Sequence, residues 1–362
     1  MTVLRRPSLR TPSSHPSPLR APRRVLVRIG PVALPVRVRS LLVAAISLLV
    51  LAALFVLSLG LGSFPLAPDE VVRILLGGGE PIDRTVVWDW RMPRALAAIA
   101  VGALLAIAGA LFQTVTRNPL ASPDILGLSN GAFTGMLLAL VFVSSSLPAR
   151  TIGALCGGLA AAAVIWLLAV RGGVQGFRLI IVGIGVSAML ASLNTWMLLQ
   201  IELDTAMFAS AWGAGSLNGV TAAGLGAAVL CAVPFVVAAA LLPPRLRQLD
   251  LGDDVASATG SRPALVRTLA LLIGVVLVAA ATTVGGPIAF VALAAPQIAR
   301  LVARTPHLSL GLAALVGSVL VLASDLVAQH VLPVTLPVGV VTVSVGGAYL
   351  VLMIILEIRR RA

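Results

Sequence analysis

Lysine is missing from this 362-residue chain, and all 26 of its basic residues are arginine. A phosphate-binding loop of the G-x-x-x-x-G-K-[S/T] kind needs its lysine, so the chain holds no nucleotide site of that type. Lysine Schiff-base chemistry is excluded for the same reason. Thiols and imidazoles are scarce too, with 2 cysteines and 3 histidines. Cys156 and Cys231 lie inside apolar runs and read as small core residues. His15, His307 and His330 are scattered, so no Cys/His cluster has metal-ligand spacing. Acidic residues number only 13, and charged residues make up 11% of the chain. An integral membrane enzyme would need His, acids or Cys gathered at one depth, and no such cluster is visible.

What fills the chain instead is apolar: 59% of residues, with a mean hydropathy of +1.06. Repeated uncharged runs of about 20 residues identify an all-α, polytopic helical membrane protein. A β-barrel would show short alternating segments and is excluded. A net charge of +13 suggests nucleic acid in a soluble protein. Here the arginines sit between apolar runs, which points to membrane orientation and not to nucleic acid.

Residues 1–40 are rich in Arg, Pro and Ser and lack acids, which predicts a disordered basic tail. Arg23-Arg24 could belong to an export signal, but the following run 41–61 is long for a signal core and no small-x-small cleavage site follows. It reads as a first span. Further spans are expected at about 95–115, 127–145, 151–170, 179–200, 219–241, 264–284, 308–324 and 338–356. The stretch 286–300 is short for a span. If it crosses, the termini share one side with most of the 26 arginines, leaving Arg73, Arg84, Arg91, Arg94 and Arg150 opposite. That bias obeys the positive-inside rule, so ten spans with cytoplasmic termini are expected, 359–362 closing the chain inside. Coupled secondary transporters place ionisable groups in mid-span, and here only Asp325 comes near, which argues against that class.

Three segments stand out between the spans. The outer loop 62–94 holds an amphipathic helix from Pro68 to Leu76, the aromatic patch Val86–Trp90 and Arg91-Met92-Pro93-Arg94. The polar island Arg117–Gly131 contains two prolines that stop a helix from passing, and broken backbone between spans is tolerated only beside protein or water. The inner loop 243–263 contains Leu251-Gly252-Asp253-Asp254-Val255-Ala256, acids opening a short helix that Gly260 closes. That helix is a docking element or a plain connector. The abundant small residues serve close packing, or line a wide pathway.

Arg91-Met92-Pro93-Arg94, then Gln113, then Asn118-Pro119-Leu120-Ala121-Ser122-Pro123-Asp124-Ile125-Leu126-Gly127 resemble the FecCD-type permeases, the membrane subunits of ABC importers for ferric siderophores, haem and cobalamin. Gly286–Leu293, Pro296, Ile298-Ala299-Arg300, Asp325 and Leu336–Thr342 also match, so the resemblance spans about 41–358. It implies the ten-helix type II importer architecture over 41–358, a dimer with a second permease subunit, and two separate ATPase subunits. An extracytoplasmic substrate-binding protein would deliver the ligand. It implies no cofactor on this chain, ATP and Mg being used by the partners, and no catalytic residue. Carried over by motif, Arg91 and Arg94 dock the binding protein, although interfacial anchoring is the plainer role. Asn118 and Leu120 form the cytoplasmic gate with Gly176 and Phe177, although Asn118 could simply cap a turn. The loop Leu251–Ala256 couples to the ATPase. Siderophore wording is nearest; cobalamin and haem stay open. Gln297, Gln329 and Thr335 depart from the family's His, Arg and Glu, and the Gln329 change weakens the expectation of a third outward basic contact.

Overall fold

The computed structural model describes residues 24–29, 32–124, 126–169, 176–249 and 252–361. Two short strands, β1 (Arg24–Ile29) and β2 (Val32–Arg37), pair antiparallel with Arg24 opposite Arg37. The rest is helical: α1 (Val38–Gly60), α2 (Pro68–Leu75), α3 (Pro81–Thr85), a π-helical turn (Val86–Arg91), α4 (Met92–Thr116), α5 (Leu128–Phe142), α6 (Leu147–Ala169) and α7 (Gly176–Gln200). There follow α8 (Leu203–Gly213), α9 (Ala222–Leu241), α10 (Pro243–Leu249), α11 (Asp253–Ala258), α12 (Pro263–Gly285), α13 (Val291–Ala303), α14 (Leu310–His330) and α15 (Val338–Arg361). Among the described residues, seven helical stretches are long and apolar enough to cross a membrane, and Leu128–Phe142, Val291–Ala303 and Val338–Leu352 are shorter apolar helices.

Two expectations need correction. The tail 1–40 was expected to lack structure throughout, yet 24–29 and 32–37 form the hairpin and α1 starts at Val38. The reason lies in the run of Val, Leu and Ile in the tail's second half, which favours strands and which the average composition hides. Residues 1–23 lie outside the described residues. The cysteines do not lie in the core: Cys156 and Cys231 are both exposed on the chain's surface. In a membrane bundle an apolar run need not face inward, because the outer surface is apolar as well.

The outer loop also differs from its expected form. Helix runs without interruption from Pro81 to Thr116, so Arg91-Met92-Pro93-Arg94 lies on a helix and not ahead of one. Pro93 cannot donate, and its ring would strike the carbonyl four residues back in a regular α-helix. The chain solves this by widening: the Met92 N–H reaches back five residues to the Val87 carbonyl. The exposed Trp88 and Trp90 ride on this turn. The amphipathic helix takes its expected form as α2, with Val71 and Ile74 buried beneath it.

Helix α4 is the axis of the bundle, buried along most of its length and packed against α12, α13 and α14. Absent side chains permit the approach. A Cβ on Gly102 would lie 2.3 Å from the Gly317 carbonyl oxygen, and one on Gly109 would lie 1.8 Å from that of Ala292. Without a hydrophobic drive between helices in lipid, such backbone proximity supplies the packing energy. Gly102→Leu is therefore expected to destabilise the bundle by at least the ~1–3 kcal/mol of an overpacked core. Thermal unfolding in detergent checks this, and an unchanged midpoint contradicts the α4–α14 contact.

Candidate translocation gate

Helix α4 stops at Arg117, which adopts a left-handed conformation with φ 52°. The next residues make a tight turn. Asn118 Oδ1 accepts from the Leu120 N–H at 2.9 Å, and the Asn118 carbonyl accepts from the Ala121 N–H at 3.1 Å. The Asn118 side chain thus shapes the turn, the plainer of its two expected roles, and leaves Leu120 projecting at 56% exposure. Ala121, Ser122 and Pro123 are buried at once. The chain has turned back into the bundle: a Cβ on Gly183 would meet Leu126 at 2.6 Å, and one on Gly127 would meet Ser187 at 2.9 Å. Ser187 lies about three turns inside α7, so α5 begins deep in the bundle and not at its surface. The island is a re-entrant segment, which explains why α5 is short.

Beside it lies a cavity of about 340 Å³, whose walls include Gln113, Arg117, Asn118, Arg247, Gln297 and Arg300. Its buried wall has a specific origin. Pro296 lies inside α13 and has no N–H, so the Ala292 carbonyl loses its helical partner. Gln113 Nε2 fills the gap, lying 3.3 Å from the Ala292 oxygen and 3.0 Å from that of Leu293. Gln297 Nε2 then donates to Gln113 Oε1 at 2.7 Å. Buried amides need such partners, and this pair joins α4 to α13.

The loop expected to couple is also placed here. Arg117 donates to the Leu249 carbonyl and reaches Asp253 at 3.5 Å, while Arg267 grips Asp253 through 2.6 and 2.8 Å bonds. Gly252 (φ 104°) turns the chain into α11, Ala256 is buried beneath it, and Asp254 and Val255 are exposed. Leu251 lies outside the described residues, as does the Phe177 side chain; Gly176 begins α7.

At the opposite end of α4, both expected docking arginines are bound within the chain. Arg91 donates to the carbonyls of Leu59 (2.7 Å), Gly60 (3.2 Å) and Phe64 (2.6 Å), covering the carbonyl end of α1. Arg94 forms a bidentate pair with Asp325 on α14 at 2.8 and 2.7 Å, and also donates to Asn218 Oδ1. A signal for the pairing was present in the sequence, since a lone acid in an apolar helix needs a cation nearby. Four residues along α14, Gln329 Nε2 is buried with no hydrogen-bond partner. Among the described residues no group of three His, Cys, Asp or Glu could hold a metal ion.

A helical membrane bundle with a re-entrant segment, a basic cavity and a surface loop tied to both has the layout of a transport permease. The model of the FecCD transport family matches residues 49–356, and the chain belongs to that family. It is 46% identical over 301 residues to the ferric enterobactin transport system permease protein FepG of Escherichia coli, covering 83% of this chain and 91% of that protein. It is 36% identical over 318 residues to the achromobactin permease CbrC of Dickeya dadantii, covering 86% and 90%. Among solved structures, an inward-facing ABC transporter of metal-chelate type aligns with a TM-score of 0.75 at 26% identity, over 86% of this chain and 98% of that one.

Removing one member of the Arg94–Asp325 pair strands the other. Asp325→Ala should cost about 3–5 kcal/mol, towards the lower end because the Arg94 side chain is 23% exposed. The swapped double variant Arg94→Asp, Asp325→Arg should recover part of it. Thermal melts of the wild type, of Asp325→Ala, of the single variants Arg94→Asp and Asp325→Arg and of the double check this, and full additivity of the two charge swaps contradicts a direct pair.

Proposed function

We propose that the chain is the permease subunit of an ABC importer for a ferric siderophore, crossing the membrane ten times with both termini in the cytoplasm. The observation that carries the substrate class is the 46% identity to a ferric enterobactin permease over nearly its whole length. A second permease subunit completes the pathway, separate ATPase subunits supply the energy from ATP and Mg, and an extracytoplasmic binding protein delivers the chelate. The chain performs no chemistry itself.

In this reading α10 and α11 dock the ATPase, and Asp254 and Val255 present the exposed edge. Asn118 and Leu120 sit at the cytoplasmic gate, Asn118 holding the turn and Leu120 forming the plug, with Gly176 and Phe177 opposite. Arg91 and Arg94 shape the outer mouth where the binding protein lands; their fixed positions on the π-turn and on α4 favour a preorganised surface over flexible contact arms. ATP-driven closure biases the inner loops through differential contacts, and the gate follows.

Proteoliposomes carrying the chain with its ATPase, second permease and binding protein should accumulate radiolabelled ferric siderophore only when ATP is enclosed with the ATPase. Uptake driven by a proton gradient without ATP overturns the proposal. Asp253→Arg, which sets a cation against Arg117 and Arg267, should reduce uptake per ATP by about tenfold, whereas the charge-conserving Asp253→Glu should keep most of it. Equal coupling in the two variants contradicts the role of the loop.

A further inference from the structure

The cavity beside the turn after α4 carries charge of one sign. Arg117 at the end of α4, Arg247 on α10 and Arg300 on α13 all line it, and no acidic residue does so among the described residues. The acid nearby, Asp253, is already held by Arg117 and Arg267. Arg247 and Arg300 have no salt bridge among the described residues. Arg300 is half-buried, where an uncompensated cation costs more than it does in open water. Three guanidinium groups that converge from three elements repel one another, and an anion between them reverses the sign of that interaction.

A helix end adds to the same field. Leu310, the first residue of α14, also lines the cavity. The N-cap Ser309 makes no side-chain cap bond, and the first turn of α14 contains no acid. A 21-residue helix therefore brings unpaired N–H groups and the positive end of its dipole to a wall already rich in arginine. The wall holds one unused acceptor as well. Gln297 spends its Nε2 on Gln113, and its Oε1 is buried with no partner. A ligand that suits these groups offers oxyanions to the guanidinium forks and a hydroxyl to Gln297. Phosphate chemistry supplies both, and the planar fork of arginine matches its oxygens in pairs. A volume of about 340 Å³ is at the small end of ligand pockets and accommodates a phosphate with a short attached group.

We propose that this cavity binds a phosphate group, free or carried by the headgroup of an anionic lipid. Arg117, Arg247 and Arg300 hold its oxygens, and Gln297 accepts from a hydroxyl of the phosphate or of the headgroup. The ligand touches α4, α10, α13 and α14, so it fastens the base of the re-entrant turn to the neighbouring loop and raises the stability of the bundle. The inference goes beyond the importer reading and does not need it. In the ten-span topology the cavity faces the cytoplasmic leaflet, whose anionic headgroups are one of the two sources.

The test uses the full-length chain in discs of neutral phosphatidylcholine, without ATPase subunits, so that no nucleotide site competes for phosphate. Inorganic phosphate exchanged for chloride at constant ionic strength should raise the unfolding midpoint saturably. Discs containing phosphatidylglycerol separate the sources. A raised midpoint that no longer responds to added phosphate identifies the headgroup, and an unchanged phosphate response identifies the free anion. A midpoint that responds to neither overturns the proposal. Arg247→Gln and Arg300→Gln should each weaken the apparent affinity by about tenfold or more, the loss of one charge-assisted contact. Arg245→Gln, on α10 but not on the cavity wall, should keep it within about twofold. Equal losses in all three variants mean general charge attraction and overturn the site. Arg247 is exposed on a short surface helix, so Arg247→Gln decides the matter if Arg300→Gln does not fold. Sulfate carries the charge but no hydroxyl at neutral pH, and should bind about threefold more weakly than phosphate. Equal binding of the two anions overturns the assignment to phosphate.

Discussion

Backbone that breaks inside a membrane must find partners for its polar groups, and this fold is arranged around two such breaks. Water is absent from the hydrocarbon core, so an unpaired amide there costs several kcal/mol. The segment after α4 answers with its own turn at Asn118 and with the serines around Asp124. Helix α13 has a subtler need, because Pro296 strips a bond from the Ala292 carbonyl, and Gln113 restores it from the neighbouring helix. The second repair reaches across from α4 to α13, so it also binds the bundle together.

Helix α4 can serve both breaks because it is thin. Gly102 and Gly109 let α14 and α13 come to backbone contact, which brings Gln113 within reach of the Ala292 carbonyl. Its two ends are pinned by arginines: Arg91 and Arg94 at one, Arg117 at the other. In the proposed importer, a rigid rod pinned at both ends, with a re-entrant segment at one of them, passes motion of a surface loop towards the middle of the membrane. A floppy connection would dissipate it.

The spans were legible from their uncharged runs, and so was the re-entrant nature of Arg117–Gly131, because prolines and polar residues between apolar stretches leave few alternatives. The short helix around Asp253 could be placed from its acids and Gly260. Legibility failed where pairing across distance decides the outcome. Nothing local to Asp325 names Arg94; the pair needs the packing of α4 against α14. The helix through Pro93 was missed because a proline there reads as a boundary, whereas a π-turn absorbs it. The surface cysteines were misread because in lipid the outside of a bundle is as apolar as its inside.

In the proposed importer the turn after α4 is a gate whose plug, Leu120, meets solvent in one state only. Labelling of Leu120→Cys by a membrane-impermeant maleimide, with Cys156 and Cys231 replaced by Ser, tests it most directly in the assembled complex. The account predicts labelling from the ATPase side without nucleotide, protection when a non-hydrolysable ATP analogue closes the partner subunits, and no labelling of the buried Ala121→Cys in either state. Equal labelling of Leu120→Cys with and without nucleotide would contradict it.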